Sequence, residues 1–317
     1  MSEYVNKRIE YINNWPNVSP FEAELNYKSR CDKFIKLNST QPFLPLNLWV
    51  DNDIDFNKVI SHIIDSLDVM PYHPNFAFAF IFSAIDYYAK IKYPNPRPRG
   101  NPNTTISFKL MIDDFLDLSN TNNDIKIIFE SLFSVIPASA NFYLYKCLHS
   151  RLNPTNKAYN RVTTDVNEAF VFSRKNIIDR IYAKYSYDTN NYDNSIRQSA
   201  LLYRKLFKDS TIVLDSLTVA IGNDLRLHLL LSGIIYSLRN DSLHGSAMSS
   251  TKSSKTTPER YAFNYYCYLA TYTLLMILLI SKSNLINQDD KNKKYEELKK
   301  ATITNTNNFR QLFKNHI

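Results

Sequence analysis

The segment GIIYSLRNDSLHGS at 233–246 places an arginine, an asparagine and a histidine at the end of an apolar run. On a helix Asn240 and His244 are i,i+4 neighbours, and Tyr236 lies one turn before Asn240. Arg239 and His244 are five apart, about 140° around an ideal helix. They share a site only through the reach of Arg239 or if the helix ends near 241–245. Gly245 suits such an ending, as the left-handed residue that closes a helix. His244 would then stand by a helix C-terminus, whose dipole favours the imidazolium and raises its pKa. Histidine can remove the proton of a 2′-hydroxyl or protonate a 5′-oxygen leaving group near neutral pH. Arginine offers a planar fork of donors to the phosphate as charge builds on it. These residue types therefore suit metal-independent cleavage of RNA. Asn240 is expected to hold the motif by hydrogen bonds, and Asp241 and Ser242 to orient or contact RNA. The plainer reading is that Arg239 and His244 only cap or bridge helices.

The spacing resembles the Arg-x4-His signature, in its Arg-Asn-x3-His form, of the HEPN superfamily of helical ribonucleases. Toxins, abortive-infection proteins and nuclease domains of RNA-guided CRISPR effectors belong to it. The tyrosine three residues ahead of the arginine and the glycine after the histidine also match its common form. The resemblance covers residues 165–285. It implies an all-α, HEPN-like bundle in the C-terminal half and an endoribonuclease of bacterial defence or toxin–antitoxin biology. It further implies that Arg239 stabilises the phosphate, that His244 transfers protons, and that neither metal nor cofactor is needed. The active cleft would lie between two such units, supplied by a homodimer or by a tandem within the chain. RNA would be the substrate, an antitoxin or regulatory partner would restrain it, and the cytoplasm would be its compartment. The alternative is a non-catalytic helical scaffold that binds RNA or a protein through the same basic cleft.

The surroundings extend the candidate list. After His244 comes the loop SAMSSTKSSKTTP, and Lys252, Lys255 and Arg260 flank the motif. These cations and Tyr236 are candidate substrate contacts; the loop reads equally as a solvated linker. Of the formal charge of +8, residues 221–317 carry +6, from 13 Lys/Arg against 7 Asp/Glu. A basic region attracts polyanions such as RNA. The remaining histidines show no metal-ligand spacing with acidic residues; if the chain contains a true internal repeat, Lys146, His149 or Arg151 could at most assist. Three scattered cysteines fit a reducing compartment, with Cys147 and Cys267 expected as core thiols.

The elements that must position these groups are read from periodicity and from the breakers. Only four glycines occur in 317 residues, which excludes GxGxxG and Walker A loops and argues against glycine-rich β architecture. Ten of the thirteen prolines precede residue 103. Residues 1–53 are therefore expected to be irregular, with QPFLPLNLWV (41–50) an extended segment packing its apolar side chains, and 93–103 a loop. Helical spacing predicts helices near 55–69, 75–92, 105–119, 123–136, 139–152, 165–186, 193–209, 212–241, 258–282 and 289–301. Thr257 is expected to cap the helix that Pro258 begins. Its run YLATYTLLMILLI is short of the ~20 residues that span a bilayer and reads as a buried central helix rather than an anchor. FIFSAIDYYAK (80–90) is similar to FVFSRKNIIDRIYAK (170–184), and LYKCLHSRLN (144–153) to IYSLRNDSLH (235–244). A decayed duplication would make 54–160 an N-terminal helical, degenerate HEPN-like unit. Residues 161–317 would be the C-terminal HEPN-like domain with a basic tail helix.

Overall fold

The computed structural model describes residues 2–49, 52–94, 104–149, 157–164, 169, 171–185, 192–243, 253–284 and 286–316. In chain order the elements are α1 (Glu3–Asn13), α2 (Glu22–Asn38), α3 (Ile54–Asp68), α4 (Pro74–Lys92), α5 (Thr104–Thr121), α6 (Asn123–Ser134) and α7 (Ala138–Leu148). Then follow α8 (Lys157–Thr163), α9 (Arg174–Lys184) and α10 (Tyr192–Lys208). A two-stranded antiparallel hairpin, β1 (Thr211–Leu214) and β2 (Leu217–Ala220), interrupts the helices. The chain continues through α11 (Asn223–Leu227), a π-helical segment His228–Ile235, α12 (Tyr236–Leu243), α13 (Pro258–Lys282) and α14 (Gln288–Leu312). The protein is all-α, and the hairpin is the one sheet among the described residues.

The core is built around α13. Every residue from Tyr261 to Ile280 is buried, so this helix is apolar and enclosed on all its faces. Helix α4 lies along it, with Ala77, Phe78, Ile81, Ala84 and Ile85 buried, and α2, α7, the π segment and α14 complete the wrapping. Small alanines on α4 allow close approach of the two helices. Buried side chains form one continuous cluster running from Tyr27 to Phe313. Ahead of α3 the extended stretch packs as expected. Phe43 and Leu46 are buried, and Asn305 of α14 brackets Leu44 by accepting from its N–H and donating to its carbonyl, both at 2.8 Å. The Leu46 N–H donates to the Tyr272 hydroxyl at 2.9 Å. An extended segment leaves its backbone unpaired, and these side chains supply the missing partners.

Several helix starts have local causes. Asp53, Asn122, Ser173 and Asn287 each accept a backbone N–H at the first turns of α3, α6, α9 and α14. Thr257 departs from expectation. It stands at the N-cap of α13 with extended backbone but makes no cap bond; its hydroxyl meets the Glu259 carboxylate instead, helping to hold that acid below its usual range.

Other expectations are corrected. Residues 1–53 are not irregular throughout, because α1 and α2 occupy most of them. No residue of α1 is buried, although Val5, Ile9 and Ile12 recur at helical spacing along it. The helix expected over 212–241 is a hairpin, a short helix, a π segment and α12. Asp215 and Ser216 take φ of 49° and 68° at the hairpin turn, the left-handed conformations that glycine usually supplies. α7 ends at Leu148, and among the described residues of 165–186 the regular helix is α9 alone. The two FxFS segments differ in local structure. The first FxFS lies in the middle of α4, whereas Val171, Phe172 and Ser173 form the turn and N-cap before α9.

Gly233 acquires a role. It lies in the π segment, where an added Cβ would stand 2.7 Å from Leu144 Cδ1 of α7 and 3.5 Å from Val162 Cγ2 of α8. Leu144 and Val162 are fully buried, so neither has room to turn away. Gly233→Ala should lower stability by about 1–3 kcal/mol through overpacking, despite the better helix propensity of alanine. In a Leu144→Ala background the same change should be neutral or stabilising in urea denaturation. Equal losses in both backgrounds would refute the clash.

Candidate functional site

Helix α12 follows the π segment directly, so the phase of its side chains is set by what buries the eight residues before it. All of His228–Ile235 are buried. Tyr236 is half-buried, its ring edge-on to Phe82 of α4 and Phe108 of α5 at 6.3 and 5.5 Å between centroids. One turn on, the Arg239 guanidinium lies 5.7 Å from the Phe82 ring centroid, a cation–π contact. Arg239 Nη1 donates to Asn240 Oδ1 at 3.0 Å. Its Nε is buried and has no hydrogen-bond partner among the described residues. An unpaired guanidinium N–H out of water is costly unless something accepts from it.

Beneath α12 lies a polar cluster assembled from three helices. Arg161 of α8 donates from Nη2 to Ser237 Oγ at 2.7 Å and from Nε to the Ser232 carbonyl at 3.2 Å, and its guanidinium lies 4.6 Å from the Tyr236 ring centroid. Burial lowers its pKa. The carbonyl at Ser232 belongs to the π segment, whose altered hydrogen bonding leaves such acceptors available to a side chain. From α7, the Tyr143 hydroxyl donates to Asp241 Oδ2 at 2.7 Å. Burial above all, then the neighbouring Cys147 and Asp241, pushes the Tyr143 phenol far above its usual value. The Cys147 thiol beside it is pushed up to about 11 by burial, which makes it an inert core thiol as expected.

The sequence candidates thus separate. Arg239, Asn240 and Asp241 stand together on α12, and Ser242 is exposed at its end. Asp241 is held by Tyr143, so it serves to anchor α12 to α7 rather than to meet a ligand freely. Tyr236 is engaged by Phe82, Phe108 and Arg161 as a packing residue. Lys255 is exposed and lies 5.8 Å from the Tyr4 ring of α1, while Ser254 donates to the Tyr4 carbonyl. The end of the loop is thereby tied to the N-terminal helix. Arg260 is exposed in the first turn of α13. His244, Gly245 and Lys252 lie outside the described residues. Arg161 and Tyr143 carried no sequence signal. Each belongs to no motif and is identified only by what the fold brings to it.

His149 is a structural histidine. Its Nε2 is 2.6 Å from the Tyr203 hydroxyl, its ring stacks on Tyr182 at 5.0 Å, and burial pulls its pKa down to about 4. His228 is buried with Nε2 3.6 Å from Asp224 Oδ1, a carboxylate that also takes two hydrogen bonds from Arg174. Among the described residues no three His, Cys, Asp or Glu side chains gather to hold a metal ion.

Comparison with known proteins gives no relative: no family model, no curated protein and no solved structure matches this chain.

The buried His149 has a measurable consequence. The unfolded chain takes up a proton on this ring near pH 6.5, whereas the folded chain resists until about 4. Stability is therefore complete above pH 6.5 and falls as pH drops through that window, by roughly 3 kcal/mol at most. Urea melts of His149→Asn should show the slope of stability against pH reduced by close to one proton between pH 6.5 and 4. Parallel profiles for variant and wild type would exclude the effect.

Proposed function

We propose that the protein is a metal-independent endoribonuclease of HEPN type acting in bacterial defence or toxin–antitoxin biology. Arg239 binds the scissile phosphate and His244 transfers protons to and from the ribose oxygens. The observation that carries this reading is the state of Arg239. It is fixed on the Phe82 face and steered by Asn240, yet its Nε–H lacks an acceptor among the described residues. A guanidinium held in one orientation with donor capacity to spare is suited to a phosphate oxygen, and pre-organisation makes it more effective as negative charge develops. The base takes the 2′-OH proton, the 2′-oxygen attacks phosphorus, and protonation of the 5′-oxygen releases the downstream strand with a 2′,3′-cyclic phosphate left behind. The sequence resemblance supports the pairing of Arg239 with His244 four residues after Asn240.

A second reading has an observation of its own. Arg239 and Asp241 both have partners within the fold, Phe82 and Asn240 for the one and Tyr143 for the other, as residues of a structural junction would. On that reading the protein is a helical scaffold that binds RNA or a protein without cutting it.

Purified protein incubated with labelled RNA in EDTA separates the two. Cleavage should yield 2′,3′-cyclic phosphate ends and drop at least about 100-fold in both His244→Ala and Arg239→Ala, with unchanged thermal melts. Undiminished activity in either variant would remove that residue from the chemistry. Binding without cleavage under all conditions would leave the scaffold.

A further inference from the structure

The solvent face of α10 carries a cationic stripe. Ile196, Ala200, Tyr203, Leu206 and Phe207 point into the core, leaving Arg197, Gln198, Leu201, Arg204, Lys205 and Lys208 on the other side. From Arg197 to Lys208 is eleven residues, about 16 Å of helix. None of these four cations forms an ion pair with a carboxylate among the described residues, whereas most of the lysines on α14 do. At the C-terminal end of the stripe lies a groove of about 370 Å3, whose lining includes Tyr185, Leu201, Arg204, Lys205 and Lys208 and one acid, Asp209. Leu201 is 51% exposed, a large apolar side chain set among cations.

Charge crowding marks the groove as a place for an anion. Lys208 is half-buried, and its ammonium is pulled down to about 8 by burial and then by its like-charged neighbours Arg204 and Arg310; Asp209 opposes them only weakly. Arg310 of α14 is held in place by Ser134 Oγ at 2.6 Å and Asn307 Oδ1 at 3.0 Å. A fold gains nothing by pressing cations together, but a phosphate bound in the groove would relieve Arg204 and Lys208, which both line it.

We propose that the α10 groove binds a single-stranded RNA, its phosphates on Arg204, Lys205 and Lys208 and a base against Tyr185 and Leu201. The choice of RNA rests on the ribonuclease reading above. The alternation of cations with an apolar floor favours a single strand, because a duplex presents phosphates but keeps its base faces stacked inside. The stripe toward Arg197 gives the strand a length of contact that an isolated phosphate would not use.

The test uses the full chain and a fluorescein-labelled, 2′-O-methylated RNA 12-mer, which cannot be cleaved because its 2′-oxygens are blocked. Anisotropy titrations between 50 and 200 mM salt should show Arg204→Gln/Lys208→Gln binding at least about ten-fold more weakly at the lowest salt. The slope of log affinity against log salt should shrink by about 1.4, two phosphate contacts at about 0.7 each. Arg204→Lys/Lys208→Arg should retain most of the affinity. Circular dichroism melts should coincide, because neither side chain forms an ion pair among the described residues and glutamine keeps most of the aliphatic stem. Wild-type affinity in the glutamine variant, absence of binding by the wild type, or equal preference for duplex RNA would each overturn the proposal. Cleavage is scored separately on unmodified RNA. Groove-dependent binding by a protein that cuts nothing would sink the ribonuclease and keep the groove. Cleavage with groove-independent binding would do the reverse.

Discussion

Burying α13 on every side is the constraint from which the rest of the arrangement follows. An 18-residue window of this helix has a mean hydropathy of 1.5 and is buried throughout, so the chain must surround it with other helices. Some of the polar groups it carries are met locally, while the buried hydroxyls of Tyr265 and Tyr266 have no hydrogen-bond partner among the described residues. The Thr271 and Thr273 hydroxyls donate to the carbonyls four residues back, and Asn264 does the same. Tyr272 accepts from the extended segment near residue 46 and so helps to pin that segment. The helix thereby fixes α4 through close packing, α4 presents Phe82, and Phe82 receives both Tyr236 and Arg239. The candidate site is thus two contacts removed from the centre of the core, and its geometry is as rigid as that packing.

The second determinant is the approach of α7 and α8 to the π segment. A side chain at 233 would hold these helices apart, and the distances over which Arg161 reaches Ser237 and Tyr143 reaches Asp241 would lengthen with it. A π segment widens the helix and changes which residues share a face, so the eight residues before α12 do not present the stripe that a regular helix would. Gly233 and the π segment together let three helices meet at one polar cluster. Two of the four glycines in the chain flank this region. One admits a close approach. The other, Gly245, lies outside the described residues.

What could be read from the sequence was what periodicity reports. Helices with one or more buried faces, such as α3, α4, α6, α10 and α13, were placed within a few residues because apolar side chains recur along them. Helices α1 and α2 are obscured in the sequence because the prolines around them, at 16, 20, 42 and 45, suggest irregular chain. The hairpin was missed because its turn uses Asp215 and Ser216 at positive φ, so the scarcity of glycine did not exclude it. Arg239 and Asn240 were legible as a pair, and the roles of Tyr236 and Asp241 were not. A tyrosine near a motif reads the same whether it stacks on a ligand or, as here, meets two phenylalanines edge-on. Arg161 is the clearest gap. It comes from a seven-residue helix with no distinguishing spacing, and tertiary contact alone makes it part of the cluster.

Charge shows the same limit from another side. The excess of six positive charges in the last third of the sequence pointed to the tail helix and the loop before it as the surface for a polyanion. In the folded chain much of that excess is answered. Along α14, Lys293 pairs with Asp290, Lys294 with Glu297, Lys299 with Asp124 of α6, and Lys300 with Glu296, while Lys291 donates to the Ser281 carbonyl. Residues 101–220 carry a net charge of only +2, yet they contain the stripe on α10 whose cations lack ion pairs among the described residues. Several of the acids that balance them in the count lie elsewhere, as Asp179 does beneath Tyr159 and Asp215 beside Arg180, although Asp209 lines the groove itself. A field at a surface depends on which charges are paired and which stand next to one another, since a close pair cancels beyond a Debye length of about 10 Å while a like-signed row adds. Net charge per segment therefore indicates that a protein can attract a polyanion, and the pairing pattern indicates where.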